Sequence, residues 1–149
     1  MSARHADARV ARVVAMFESI TPADVSRLGE FYACDACFKD PFNDVRGVPA
    51  IERIFAHMFV ALDSPRFVVR DIVAEGDQCF LTWDFLFRFR RFSREEQVVH
   101  GGSHLRFDAQ GRVVLHRDYW DPAEELYAHL PLIGVLMRTL RRRLSAGAG

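Results

Sequence analysis

Neither sign of charge is in excess in this 149-residue chain: 20 Lys and Arg stand against 20 Asp and Glu, for a formal net charge of +0. A protein built to hold nucleic acid normally carries a basic surplus, so no nucleic-acid partner is expected. Cysteine is scarce. Cys34, Cys37 and Cys79 are an odd number, which excludes a fully paired disulfide framework and suits a cytoplasmic protein with free thiols. No apolar run approaches the roughly 20 residues that cross a bilayer. Residues 1–12 alternate small and charged types, without the hydrophobic stretch of a signal peptide. A phosphate-cradling Gly-rich loop, an HExxH helix and a GxSxG turn are all missing. The lone Cys34-Asp35-Ala36-Cys37 has no second pair to complete a zinc site and reads as chance spacing at a helix end. Neither a metal nor a cofactor is expected.

What the chain does have is apolar bulk. Half of its residues are hydrophobic and 13 are Phe, enough for one domain with a large core, a greasy cavity or a greasy interface. That domain is expected over residues 1–144, with a disordered tail at 145–149. Val10, Val13, Val14, Phe17 and Ile20 recur at helical spacing, which predicts a helix over 7–20. Thr21-Pro22-Ala23-Asp24 signals a fresh helix start, continued by Val25, Leu28, Phe31 and Tyr32. A short extended piece over 37–42 follows, and Pro49 opens a third helix. Beyond Pro65 the period changes to two, predicting strands over 67–74, 78–92, 97–107 and 113–120. Asp121-Pro122 starts a final helical region, broken at Pro131 and resumed to about 144. Its Arg138, Arg141, Arg142 and Arg143 read as the solvated face of a lid or brace, not as a membrane-binding face. Helices segregated from an antiparallel meander define an α+β class, a curved sheet wrapped around amphipathic helices as a cone.

This order, with Phe38-Lys39-Asp40-Pro41-Phe42 and His116-Arg117-Asp118-Tyr119-Trp120-Asp121, resembles the nuclear transport factor 2-like superfamily. That group includes ketosteroid isomerase, SnoaL-like polyketide cyclases, scytalone dehydratase and limonene epoxide hydrolase. The resemblance covers nearly the whole chain and implies a cone with a ligand-binding interior. It places Asp40 at the isomerase's general base, but Met16 and Ser103 at its two oxyanion donors. Met16 cannot donate and Ser103 donates more weakly than a carboxylic acid, so steroid isomerisation is not expected. Against the epoxide hydrolase, Asp118 matches the water-activating carboxylate and Asp84 the acid. The bridging Arg falls at Thr82, and the water-holding Tyr and Asn fall at Phe38 and Asp40.

Strand parity supplies a second, independent reading. A four-residue loop closing Phe107 against Arg112 puts Ser103 opposite His116, Gly101 opposite Asp118 and Val99 opposite Trp120, all on one face. With Asp84 and Asp40 joining them, the expected catalytic set is Asp118, Asp84, Asp40 and His116. The expected ligand wall is Phe38, Phe42, Phe55, Met58, Phe59, Leu86 and Trp120, with Met16 and Ser103 added from the resemblance. Such a greasy pocket with convergent carboxylates suits cofactor-free acid–base chemistry of the isomerase, cyclase or hydrolase kind on a small hydrophobic molecule. The alternative is a non-catalytic ligand-binding or dimerisation module. The discriminator is whether the three Asp converge on empty volume or are engaged by Arg. On the outer face, His100 and His104 join Arg106, Arg117 and Tyr119 as polar surface. Trp83, Phe85, Phe87 and Phe89 are expected there too, as the contact of a sheet-to-sheet homodimer.

Overall fold

The computed structural model describes residues 5–91 and 94–125. Helix α1 (Ala8–Ser19) begins at Asp7, whose side chain accepts the Arg9 amide and satisfies one of the free N–H groups of a helix start. Val10, Val13, Val14, Met16 and Phe17 form its buried face. Thr21 and Asp24 make a capping box. The segment it starts, Pro22–Glu30, winds as a 3-10 helix and ends earlier than the periodicity suggested. Tyr32, expected on that helix, instead opens strand β1 (Tyr32–Lys39).

Strand β2 (Asp44–Arg46) leads into Gly47, whose φ of 94° turns the chain into helix α2 (Val48–Ala61). Strands β3 (Leu62–Glu75), β4 (Gln78–Phe89), β5 (Gln97–Phe107) and β6 (Val113–Tyr119) follow, then α3 (Pro122–Glu125). The expected long C-terminal helix with its arginines, the tail and Phe92 lie outside the described residues.

All strands belong to one open sheet in the order β2-β1-β6-β5-β4-β3. The expected four-stranded meander is only its β3-to-β6 part. Strands β1 and β2 extend it past β6, with β1 parallel to β6 and the other neighbours antiparallel. Strand β1 was obscured because its register against β6 shifts between Tyr32 and Cys37, which breaks the two-residue alternation. The Cys34–Cys37 pair thus lies in a strand, not at a helix end, and all three cysteines are free thiols. Strand β3 starts before Pro65, not after it. As the sheet's edge strand it tolerates a residue without an N–H, and its pairing is irregular between Asp63 and Arg66.

The class is α+β: a curved, open sheet wrapped around the N-terminal helices. Leu28, Tyr32, Ile51, Val69, Leu81, Leu105 and Val113 are buried between these layers. Among the described residues no helix is long and apolar enough to cross a membrane.

Candidate active site

The site grows from the registers of β4, β5 and β6. Arg106 pairs with Leu115 but Phe107 with Val113, so a bulge interrupts the β5–β6 ladder. Phe107 already closes the hairpin opposite Val113, one residue beyond the expected Arg112, and the bulge adds a second residue of offset: Ser103 lies opposite Asp118, and Leu105 opposite His116. An even shift preserves the faces. Ser103, His116 and Asp118 therefore share the inner face and line one pocket of about 550 Å³.

Strand β4 sits with the opposite parity to that expected. Trp83 lies opposite Gly101 and Asp84 opposite His100. Trp83, Phe85, Phe87 and Phe89 consequently line the pocket and form no outer dimer contact. The room left by Gly101 is not available to ligand: the Trp83 indole occupies it, and a Cβ there would come within 2.5 Å of the ring. This close approach lets Trp83 Nε1 reach Ser103 Oγ at 2.8 Å.

From Trp83 a chain of hydrogen bonds runs through the pocket floor. An indole N–H can only donate, so Ser103 Oγ accepts from it and gives its own proton to Asp118 Oδ1 at 2.5 Å. The same oxygen lies 2.7 Å from His116 Nε2, and His116 Nδ1 lies 2.7 Å from the Tyr32 hydroxyl. Burial, with the Asp118 charge adding to it, holds the Tyr32 phenol far above its usual range, so it stays protonated. Hydrogen-bond logic assigns the rest. If Nδ1 carried the proton, the buried Tyr32 O–H would have no acceptor, at a cost of about 1–3 kcal/mol. Tyr32 therefore donates to Nδ1, and Nε2–H donates to Asp118. Two rings flank the imidazole, Phe38 at 4.7 Å and Phe17 at 5.3 Å, and the Tyr32 ring lies parallel to it with centroids 6.0 Å apart.

Asp118 Oδ1 thus takes two donors. Oδ2 makes no hydrogen bond among the described residues, and no buried side-chain oxygen or nitrogen there lacks a partner, so Oδ2 retains accessible surface. The arrangement is an anchored carboxylate presenting one open oxygen in an aromatic pocket.

The other expected residues divide. Phe38, Phe42, Phe55, Met58 and Trp120 line the pocket, with Phe42 and Trp120 in edge contact at 5.6 Å. Asp40 also lines it, but its carboxylate accepts from the Phe42 and Asn43 amides at 2.8 and 2.7 Å and from the Asn43 side chain. It holds a turn. Asp84 and Leu86 do not reach the pocket, because parity puts both on the outer face. Asp84 accepts there from His100 Nδ1 at 2.6 Å and Arg70 Nε at 2.7 Å. Met16 is buried in the core beside the lining residue Phe17, one step round α1 from it. Phe59 is not among the α2 residues that meet the pocket, Ala50, Arg53, Ile54, Phe55, His57, Met58 and Ala61. Sequence reasoning missed Tyr32, Trp83, Arg53 and His57. Only Trp83 had a legible signal: it pairs with a glycine once β4 is in register. Among the described residues no group of three His, Cys, Asp or Glu is placed to hold a metal.

Asp84 gives a pH-dependent stability. The His100 hydrogen bond, then that of Arg70, hold its carboxyl below the usual 3.8. Its contribution is complete above the unfolded carboxyl's range and is lost as pH falls through the depressed native value. In urea titrations from about pH 6 to about pH 2, wild type is expected to lose its stability advantage over Asp84→Asn as the pH falls. A difference that stays constant with pH would contradict this.

Residues 13–116 match the family model of the SnoaL-like domain. Among solved structures, a hypothetical protein with a ketosteroid isomerase-like fold from Catenulispora acidiphila, in complex with trimethylamine, superposes with a TM-score of 0.70. The two share 15% identity over 82% of this chain and 92% of that one. An LEH-like epoxide hydrolase from M. tuberculosis gives 0.65 at 16% identity, covering 78% and 85%. A putative SnoaL-like polyketide cyclase from Jannaschia gives 0.64 at 17%, covering 76% and 85%. No curated protein sequence matches.

Proposed function

This chain belongs to the SnoaL-like domain family, and we propose that it is a cofactor-free acid–base enzyme acting on a small hydrophobic molecule, with Asp118 as the base. The observation that carries the reading is the asymmetry of that carboxylate. Oδ1 is fixed by His116 Nε2–H and Ser103 Oγ–H, while Oδ2 is open in a pocket walled by Phe and Trp. A substrate C–H or O–H at Oδ2 meets an acceptor whose position is already set, and the apolar wall excludes the water that would weaken it. His116 and Ser103 are positioning residues for the carboxylate, and Tyr32 fixes the imidazole.

Placement of the carboxylates narrows the reaction class. Opening an epoxide with Asp84 as acid needs Asp84 beside Asp118, but it lies on the other face of the sheet, engaged by Arg70 and His100. Asp40 is engaged by a turn. One open carboxylate fits proton abstraction, as in an isomerase or cyclase, better than two-carboxylate hydrolysis.

A test needs no knowledge of the natural substrate. In the elimination of nitrobenzisoxazole a base takes the ring C–H proton, its electron pair forms the nitrile, and the N–O bond breaks to a coloured phenolate. Acceleration that saturates with this probe is expected. Rates no higher than buffer alone would overturn the base assignment and favour a non-catalytic binding module.

The proposal includes a cytoplasmic location, supported by three unpaired thiols. It also includes a homodimer, through the outer face, where Phe80, Val98 and Tyr119 stay exposed and Phe80 and Tyr119 stand 6.3 Å apart. Light scattering at micromolar concentration is expected to give twice the chain mass; the monomer mass would refute the dimer.

A further inference from the structure

The pocket has two chemically different ends. At the buried end stand Asp118, Ser103 and His116. At the open end, helix α2 presents Arg53 and His57 one turn apart on its pocket-facing stripe, and both side chains are exposed. Neither makes a hydrogen bond or ion pair with any described residue. Ala50 and Ala61 lie at the two ends of the same stripe, so small residues flank the pair and leave it accessible. The other carboxylate on the lining, Asp40, has its oxygens occupied by Asn43 and the Phe42 amide.

From this polarity, and resting on the reading of Asp118 as an open carboxylate, the geometry points to an elongated apolar substrate that carries an anionic group at one terminus. The Asp118 charge repels an anion from the floor, while the Arg53 guanidinium and a His57 ring N–H receive it at the rim. The aromatic wall between takes the apolar body. The molecule is thereby oriented with its uncharged, reacting end toward Oδ2. Arg53 and His57 are specificity-determining contacts in this scheme and take no part in proton transfer.

The chain's two tryptophans, Trp83 and Trp120, both line the pocket, so intrinsic fluorescence reads occupancy directly. The probes are decanoate, decanol and decyltrimethylammonium, alike in apolar body and different in head group. Decanoate is expected to bind about tenfold tighter than decanol, the scale of two exposed charge-assisted contacts, and the ammonium weakest. In the double variant Arg53→Ala/His57→Ala, the preference for decanoate over decanol should disappear, while decanol still binds and reports an intact fold. Equal binding of decanoate and decanol by wild type, tightest binding of the ammonium, or an anion preference that survives in the double variant would each overturn the inference. In those cases the pocket and its base still stand. No fluorescence response to any of the three would overturn the pocket reading as well.

Discussion

Asp118→Asn is expected to remove the elimination activity while leaving the fold and its thermal stability near wild type. The amide keeps an oxygen at the Oδ1 position, so it can still accept from His116 Nε2–H, 2.7 Å away in wild type, and from Ser103. Its NH₂ group replaces Oδ2, the oxygen that faces the pocket. Two donors stay satisfied and one base is lost, since an amide takes no proton at neutral pH. Positioned general bases contribute about 10²–10⁴-fold, so at least a hundredfold loss is expected in the saturating rate. Asp118→Ala should lose the same activity but also melt earlier, because it leaves both donors without an acceptor at about 1–3 kcal/mol each. The pair of variants therefore separates chemistry from support. Equal activity of the Asn variant and wild type would show that the reacting proton goes elsewhere.

Much of the fold was legible and the site only half so, for reasons that trace to particular residues. Helical spacing from Val10 to Phe17 marked α1, the Pro49 start marked α2, and alternation marked β4, β5 and β6. Closure of the loop at Phe107 and Val113 and the bulge at Arg106 each shift the β5–β6 pairing by one residue, and the even sum leaves the faces as expected. For this reason Ser103, His116 and Asp118 were placed together correctly. The connection between β4 and β5 spans residues 90–96, too long to set a register by turn geometry. Parity there is open in the sequence, and the opposite parity to the observed one places Asp84 inward and the Trp83-to-Phe89 stripe outward. A local clue lies in His100, which is expected on the outer face and has Asp84 as its direct cross-strand partner. Tyr32 had no such clue. It bonds to a residue 84 positions away through a parallel pairing that no turn announces.

The Tyr32–His116 contact also supports the largest stability effect expected of this molecule. His116→Phe keeps the ring volume among Phe17, Phe38 and Tyr32 but removes both nitrogens. The Tyr32 O–H then has no acceptor in a site where the residue is only 1% exposed, and Asp118 loses one of its two donors. A carboxylate stripped of a charge-assisted bond and a stranded phenol together should cost about 3–5 kcal/mol, within the range for breaking a buried polar network. That is a large share of the roughly 5–15 kcal/mol that holds a typical domain. Tyr32→Phe alone leaves Nδ1 unsatisfied and should cost about 1–3 kcal/mol. The double variant Tyr32→Phe/His116→Phe removes both members of the first bond, so no phenol is stranded, and it should be more stable than His116→Phe by itself. Urea unfolding of the four proteins gives the coupling directly. Recovery in the double variant would show that the phenol serves the imidazole; strictly additive losses would show that the Tyr32 hydroxyl contributes independently of the imidazole, and that the tautomer of His116 is set by Asp118 alone.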